Sequence, residues 1–251
     1  MRVAVTGADG FIGSALRERL VRDGIGYVGI DRKSYQEVET FARSDGGFDA
    51  IVHLAAQTSV WNRDFRQLVN DNISCFIDMV EYSNRTGCRM VYASSSCSEN
   101  ITSMYGMTKR FGEQFAGVYA YNAIGLRFHN VYGANPRSGT LLAVAMARSM
   151  DGKTLTLYNN GRNVRHFTYI DDIVEGIVRC LHSEKTGIVN ICNPQRNTTL
   201  EFVQEAAKYM PLEYETVDVV RMYDKEDQRV SGEVMEMDYT PIEDGIRMSL
   251  R

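Results

Sequence analysis

Three glycines at intervals of three follow the first predicted strand of the sequence, which ends at Thr6, and they precede a helical pattern. Glycine permits a tight turn between a strand and a helix, and it lets the backbone approach a pyrophosphate group at the helix N-terminus. The spacing therefore predicts a strand–turn–helix unit that holds a dinucleotide. The turn residues that we expect to contact this cofactor are Gly7, Asp9, Gly10, Phe11, Ile12 and Gly13.

Strand-like and helix-like segments alternate over the first half of the chain. The apolar runs, which suit buried parallel strands, lie at 3–5, 27–30, 50–54, 90–93 and 123–128. The helical patterns lie near 14–22, 64–86 and 104–120. This alternation predicts an α/β fold built on a doubly wound parallel sheet of the Rossmann type.

The order changes after residue 130, and the polar, mixed stretch 195–251 predicts a smaller C-terminal lobe. The division that we predict is a dinucleotide-binding domain at 1–134 and 164–194 and a smaller lobe at 135–163 and 195–251.

A tyrosine and a lysine, Tyr105 and Lys109, lie one helical turn apart, shortly after the serine run 94–96. Side chains at i and i+4 share one face of a helix. A free tyrosine has a pKa near ~10, and a nearby ammonium or a cationic nicotinamide favours its phenolate. Ser95, at the end of a predicted strand, offers a hydroxyl to a substrate oxygen. The three residues predict hydride-transfer chemistry in which Tyr105 moves a proton.

The choice of dinucleotide depends on Asp31, which ends the second predicted strand. A carboxylate at this place accepts hydrogen bonds from ribose hydroxyls and repels a 2′-phosphate, so the sequence favours NAD over NADP. Arg32, another candidate cofactor contact, follows directly and could tolerate that phosphate. NADP therefore stays open as the less favoured alternative.

Composition excludes several other classes of protein. The net charge of −4 argues against an extended surface for nucleic acid, and no apolar run is long enough to span a bilayer. The five cysteines are odd in number and scattered, and the four histidines are dispersed. We therefore expect a cytoplasmic protein with no secretory signal, no disulfide framework and no metal site.

Six segments together resemble the extended short-chain dehydrogenase/reductase family, and within it the NAD-dependent nucleotide-sugar epimerases and dehydratases. They occur in the family's order and are Thr6–Gly13, Asp49–Ala56, Tyr92–Ser96, Tyr105–Lys109, Gly125–Gly133 and Arg165–Asp172. The resemblance implies that Tyr105 is the acid/base, that Lys109 holds the nicotinamide ribose, and that Ser95 aligns the sugar oxygen. It also implies further cofactor contacts at Leu54, Ala55, Ala56 and Asn72.

The same resemblance implies where the substrate binds, and it makes the smaller C-terminal lobe the substrate-binding lobe for a nucleotide sugar. Asn130 and Arg165 match residues that contact a diphosphate, a task suited to the forked donors of a guanidinium. Ser96 is the alternative to Ser95 as the serine that binds the sugar oxygen. Arg221 is a looser match to a substrate-binding residue of the family. Family members are commonly dimers, so we expect a homodimer.

The reaction that the resemblance implies is epimerisation at C4 of a UDP-hexose, by transient oxidation with tightly bound NAD. Dehydration is disfavoured, because Ser96 and Cys97 stand where the sugar dehydratases carry an acidic pair. One alternative is a Cys97-assisted 3,5-epimerase or a 4-keto reductase of a GDP- or dTDP-sugar. The other alternative is a non-catalytic, NAD-responsive binding protein.

Overall fold

The computed structural model describes residues 1–31, 40–44, 46–221, 228 and 230–251. These residues form two compact units. The first comprises Met1–Phe128, Val174–Asn190 and Ser231–Val234, and the second comprises His129–Ile173, Ile191–Val230 and Met235–Arg251.

Within the described residues, the strands are β1 (Arg2–Thr6), β2 (Gly26–Ile30), β3 (Ala50–His53), β4 (Arg89–Ser95), β5 (Ala123–Phe128), β6 (Val131–Tyr132), β7 (Leu155–Leu157), β8 (Val164–Arg165), β9 (Thr168–Tyr169), β10 (Gly187–Ile191), β11 (Asn197–Thr198) and β12 (Tyr214–Thr216). The α-helices are α1 (Phe11–Arg22), α2 (Phe65–Leu68), α3 (Cys75–Thr86), α4 (Met104–Tyr119), α5 (Leu141–Met150), α6 (Ile170–Leu181), α7 (Thr199–Ala206) and α8 (Ile242–Ser249).

The centre of the first unit is a sheet with the order β10–β5–β4–β3–β1–β2. Strand β1 pairs in parallel with both β2 and β3. The chain therefore adds β2 on one side of β1 and then adds β3 and the later strands on the other side. Such a reversal leaves a crevice at the carboxyl ends of the two strands, where α/β sheets bind their ligands. The predicted fold class is confirmed.

The core of this unit lies between the central strands and α3. Strand β5 is buried along its whole length. Ile51 of β3, Met90 of β4 and Met79 of α3 are fully buried as well. The prediction that all the apolar runs are buried is wrong for β2. Its Val28 is 38% exposed, because β2 lies at the end of the sheet that the described residues form.

The predicted single helix near 64–86 is divided into three parts. A π-helical turn, Val69–Ser74, separates α2 from α3. A π turn inserts an extra residue into the helical ladder and often occurs at functional sites. The turn contains Asn72, one of the predicted cofactor contacts.

The second unit, taken by itself, has a small core of Ala145, Leu155, Leu157 and Val203. Strand β7 pairs with β12, and β8 pairs with β11. Helix α7 starts with a capping box, in which Thr198 accepts from the Glu201 amide and Glu201 accepts from the Thr198 amide.

The observed units differ from the predicted division in four short segments. Segments 129–134 and 164–173 fall in the second unit, because β6 and β9 pair with each other there, and residues 191–194 also belong to that unit. Residues 231–234 return to the first unit, where Asn190 donates hydrogen bonds from its backbone and its side chain to the Glu233 carbonyl. No helix within the described ranges is long and apolar enough to cross a membrane.

Candidate active site

The glycine turn between β1 and α1 has the tight geometry that its spacing predicts. Gly7 has a φ of +71°, a left-handed conformation that favours glycine. A Cβ atom at Gly7 would lie 2.8 Å from the Ala55 nitrogen, and one at Gly13 would lie 2.1 Å from the Gly7 oxygen. Both positions therefore exclude any side chain. The N-cap residue of α1 is Gly10, which leaves the first-turn amides of this helix accessible to an anion.

Asp31 lies directly beside this turn. The backbone amide of Asp9 donates to both carboxylate oxygens of Asp31 at 2.9 Å. Burial raises the pKa of Asp31, and the Asp9 hydrogen bond opposes that shift. The carboxylate is thus fixed at the carboxyl end of β2, next to the predicted pyrophosphate site. Arg32 lies outside the described residues.

Asn72 joins the loop after β3 to α4. Its Oδ1 accepts from the Gln57 amide at 2.7 Å, and its Nδ2 donates to the Gln57 carbonyl at 2.9 Å and to Thr108 Oγ1 at 3.0 Å. The same loop contains Leu54, Ala55 and Ala56, and Ala55 contacts the glycine turn as described above. All of these predicted cofactor residues therefore lie at one end of the sheet.

The structure also brings the serine run and the tyrosine helix together. Lys109 Nζ donates to the Ala93 carbonyl of β4 at 2.7 Å and lies 5.8 Å from the centre of the Tyr105 ring. A Cβ at Gly106 would lie 2.6 Å from the Cys97 oxygen, so glycine next to Tyr105 allows α4 to approach the serine turn closely. Ser95 Oγ accepts from the Cys97 amide at 3.2 Å and caps the short 3-10 turn Ser96–Ser98.

Burial alters the two basic groups of this region. It lowers the pKa of Lys109 to about 8, although the charge of Glu113 raises it. It also lowers the pKa of His53 to about 3, and the Lys109 charge acts in the same direction. His53 is therefore a neutral core residue, whose Nδ1 lies 2.8 Å from Thr6 Oγ1.

Sequence reasoning missed one charged residue of α4. Glu113 continues the spacing of Tyr105 and Lys109 by one further turn, and that spacing was the signal available in the sequence. Its carboxylate binds Arg127 of β5.

The remaining predicted substrate residues belong to the second unit. Asn130 has a φ of +36° and donates from Nδ2 to the His166 carbonyl at 3.3 Å. Arg165 donates to the Val164 carbonyl at 2.8 Å. The guanidinium of Arg221 lies 4.4 Å above the Tyr158 ring. Within the described ranges, no group of three or more His, Cys, Asp or Glu side chains could hold a metal ion.

The first unit fits a dinucleotide on its own geometry, because the tight packing at Gly7 and Gly13 places the uncapped first-turn amides of α1 beside Asp31, and a carboxylate there suits ribose hydroxyls. Comparison with known proteins decides the family, since residues 3–192 match the NAD-dependent epimerase/dehydratase family. The chain belongs to this family. NAD is the cofactor of this epimerase/dehydratase, and the predicted cofactor and type of enzyme are confirmed.

Three similar proteins illustrate the match. Protein CapI of Staphylococcus aureus is 31% identical over 71% of this chain and 69% of its own length. The uncharacterized UDP-glucose epimerase YtcB of Bacillus subtilis is 30% identical over 81% of this chain and 80% of its own. The structure of MoeE5 in complex with UDP-glucuronic acid and NAD has a TM-score of 0.86 and 22% identity, with 100% of this chain and 98% of that chain covered.

Proposed function

We propose that this epimerase/dehydratase inverts C4 of a UDP-hexose. The observation that carries the proposal is the placement of Tyr105 and Lys109 on one face of α4, packed against the end of β4 that carries Ser95. The similarity to a UDP-glucose epimerase and to a structure that binds UDP-glucuronic acid supports the choice of substrate.

Each residue of this set has a distinct task in the mechanism. Tyr105 removes the proton of the sugar O4 hydroxyl as a phenolate, while the Ser95 hydroxyl holds the same oxygen. The Lys109 ammonium favours the phenolate by its charge and holds the nicotinamide ribose. NAD, when bound, supplies a reversible hydride acceptor.

The second half of the reaction needs the keto sugar to turn over. The family resemblance implies that Asn130 and Arg165 contact its diphosphate, a task that suits amide and guanidinium donors. Tyr105 then returns the proton to O4 when the hydride has returned to the opposite face of C4. No external reductant is consumed.

A 3,5-epimerase is the second candidate, because the partly buried Cys97 lies next to Ser95 through its backbone hydrogen bond. Such an enzyme exchanges carbon-bound protons with solvent. Turnover in deuterium oxide would place deuterium at C3 or C5, whereas 4-epimerisation would incorporate none.

A homodimer formed through α4 completes the proposal. The helix exposes apolar side chains along one stripe, with Met107 57% and Val118 92% exposed. Phe111 stacks on Phe115 within the same stripe, at 5.6 Å between ring centres.

The test is turnover of a panel of UDP-, GDP-, dTDP- and CDP-sugars, with the products identified by NMR. We expect UDP-hexose to be epimerised at C4. Tyr105→Phe should lower kcat by about 10²-fold or more, because it removes the acid/base, while the NAD content of the protein stays unchanged. Full turnover in Tyr105→Phe would disprove the assignment.

A further inference from the structure

A buried carboxylate lies directly behind the serine turn that carries Ser95. Glu113 is only 7% exposed. Its Oε1 accepts from Ser94 Oγ at 2.6 Å and from Arg127 Nε at 2.7 Å, and its Oε2 accepts from Arg127 Nη2 at 2.8 Å. One side chain of α4 thus joins β4 to β5.

The same carboxylate also holds the far side of the turn. Ser98 Oγ lies 2.6 Å from Glu113 Oε1 and 2.8 Å from the Ser95 carbonyl oxygen. Its single proton serves one of these acceptors at a time. Ser94 and Ser98 bracket Ser95, so one oxygen of Glu113 binds the turn on both sides of the proposed catalytic hydroxyl.

Glu113 is a strong acceptor because it is ionised. Burial alone would raise the pKa of Glu113, but the hydrogen bonds from Arg127, Ser94 and Ser98 outweigh burial and hold the pKa below its ordinary value. Arg127 is fixed in turn by Glu99, whose Oε1 accepts from Arg127 Nη1 at 2.7 Å. Hydrogen bonds to a charged group are stronger than those between neutral groups.

We propose that Glu113 is a positioning residue for Ser95 and acts by clamping Ser94 and Ser98. The inference rests on the proposed role of Ser95 at the sugar oxygen. A carboxylate is required because Oε1 accepts from Ser94 and Arg127, and from Ser98 when its proton turns that way, whereas a glutamine amide turns N–H donors toward Arg127 or the serines. With glutamine at position 113 the serine turn therefore loses its fixed position. A displacement of about 1 Å in the Ser95 hydroxyl suffices to slow the reaction strongly.

The kinetic test is a double-mutant cycle between Glu113→Gln and Ser95→Ala on a nucleotide sugar that the wild type turns over. Glu113→Gln should lower kcat about tenfold or more in the wild-type background, with KM changed little. In the Ser95→Ala background it should have almost no further effect, because its action passes through Ser95. An equal loss in both backgrounds, or no loss in either, overturns the proposal.

Glu175→Gln is the matched control. Glu175 belongs to the same unit and accepts from Arg19 at 2.8 Å and from Arg179 at 2.7 Å. Neither arginine belongs to the serine turn, so kcat should stay at the wild-type value. If Glu113→Gln does not fold, the variant S94A/S98A replaces it in the cycle, because it removes the clamp and leaves the Glu113–Arg127 ion pair intact.

A crystal structure gives a readout that does not depend on turnover. In Glu113→Gln, or in S94A/S98A, the turn 94–98 should be displaced while Lys109 still donates to the Ala93 carbonyl. An unmoved turn overturns the proposal. Full turnover in Tyr105→Phe would instead overturn the proposed function, and the position of Ser95 in this crystal structure would still decide the role of Glu113.

Discussion

At the scale of single residues, Lys109 shows a conflict between charge and burial. Its ammonium donates a hydrogen bond to the Ala93 carbonyl, and burial lowers its pKa to about 8. The unfolded chain holds the same proton up to a pKa of about 10.4. Folding therefore disfavours the charge that the proposed mechanism uses at neutral pH.

The consequence is a pH-dependent stability difference. The folded protein binds fewer protons at Lys109 than the unfolded chain between pH 8 and about 10.4, so stability rises with pH across this window. We expect Lys109→Met to be more stable than the wild type at pH 7, with the advantage shrinking as the pH rises through that window. Urea unfolding at both ends of the window measures it.

Lys153→Met is the control for this measurement, because Lys153 is exposed and pairs with Asp151. Its stability difference from the wild type should not change in the same way. A Lys109→Met protein that is less stable than the wild type at pH 7 would contradict the argument.

At the scale of elements, the π turn Val69–Ser74 sets the position of the loop after β3. The turn directs Asn72 toward Gln57 on one side and Thr108 of α4 on the other. A loop and a helix do not pair through a regular set of backbone hydrogen bonds. The side-chain amide of Asn72 supplies the hydrogen bonds that join them here. The loop that we propose faces the cofactor and the tyrosine helix thus share one support.

We expect Asn72→Ala to lower the free energy of unfolding by about 1–3 kcal/mol, because it removes hydrogen bonds to the buried Thr108 and the half-buried Gln57. It should also weaken NAD binding, measured by calorimetry, since the loop 54–57 loses its anchor. Asn84→Ala removes a similar pair of bonds, to the Tyr119 carbonyl and the Tyr121 amide, at an exposed place. That control should cost less stability and leave NAD affinity unchanged; equal effects would refute the assignment.

At the scale of the whole molecule, the exposed stripe on α4 bears on assembly. Apolar side chains that face water in a row favour association, whereas single ones are ordinary surface features. Tyr119 extends the stripe, with its ring 5.3 Å from that of Phe115. The helix that carries Tyr105 on one face thus offers a contact surface on another.

Two glutamates on this stripe should convert the proposed homodimer into a monomer. In the variant M107E/V118E, the charges would be buried without partners at the interface, which disfavours association. Sedimentation velocity over a range of concentrations measures the change. Val21→Glu, at a position of α1 that is 65% exposed, should leave the mass unchanged, and a wild type that is monomeric throughout would exclude the interface.

The sequence predicts those features of the fold and of the site that depend on residues close together in the chain. The glycine turn and the pair Tyr105 and Lys109 depend on neighbours within a few residues, so their geometry follows from strand and helix periodicity. Contacts between distant residues leave no such pattern. Arg127 of β5 donates to Glu113 of α4, and Ser231 donates to Glu99 although the two residues are far apart in the sequence. The exposure of β2 likewise depends on its place in the sheet.

The bond between the Asp9 amide and Asp31 matters for anyone who wants to change the coenzyme preference of this protein. Replacing the acid with a small neutral residue, so that a phosphorylated ribose fits, would also leave the Asp9 N–H without its acceptor. The selectivity that we propose for Asp31 and the rigidity of the glycine turn therefore depend on the same carboxylate. A successful redesign has to provide a new oxygen for that amide, which Asp31→Asn does and Asp31→Ala does not.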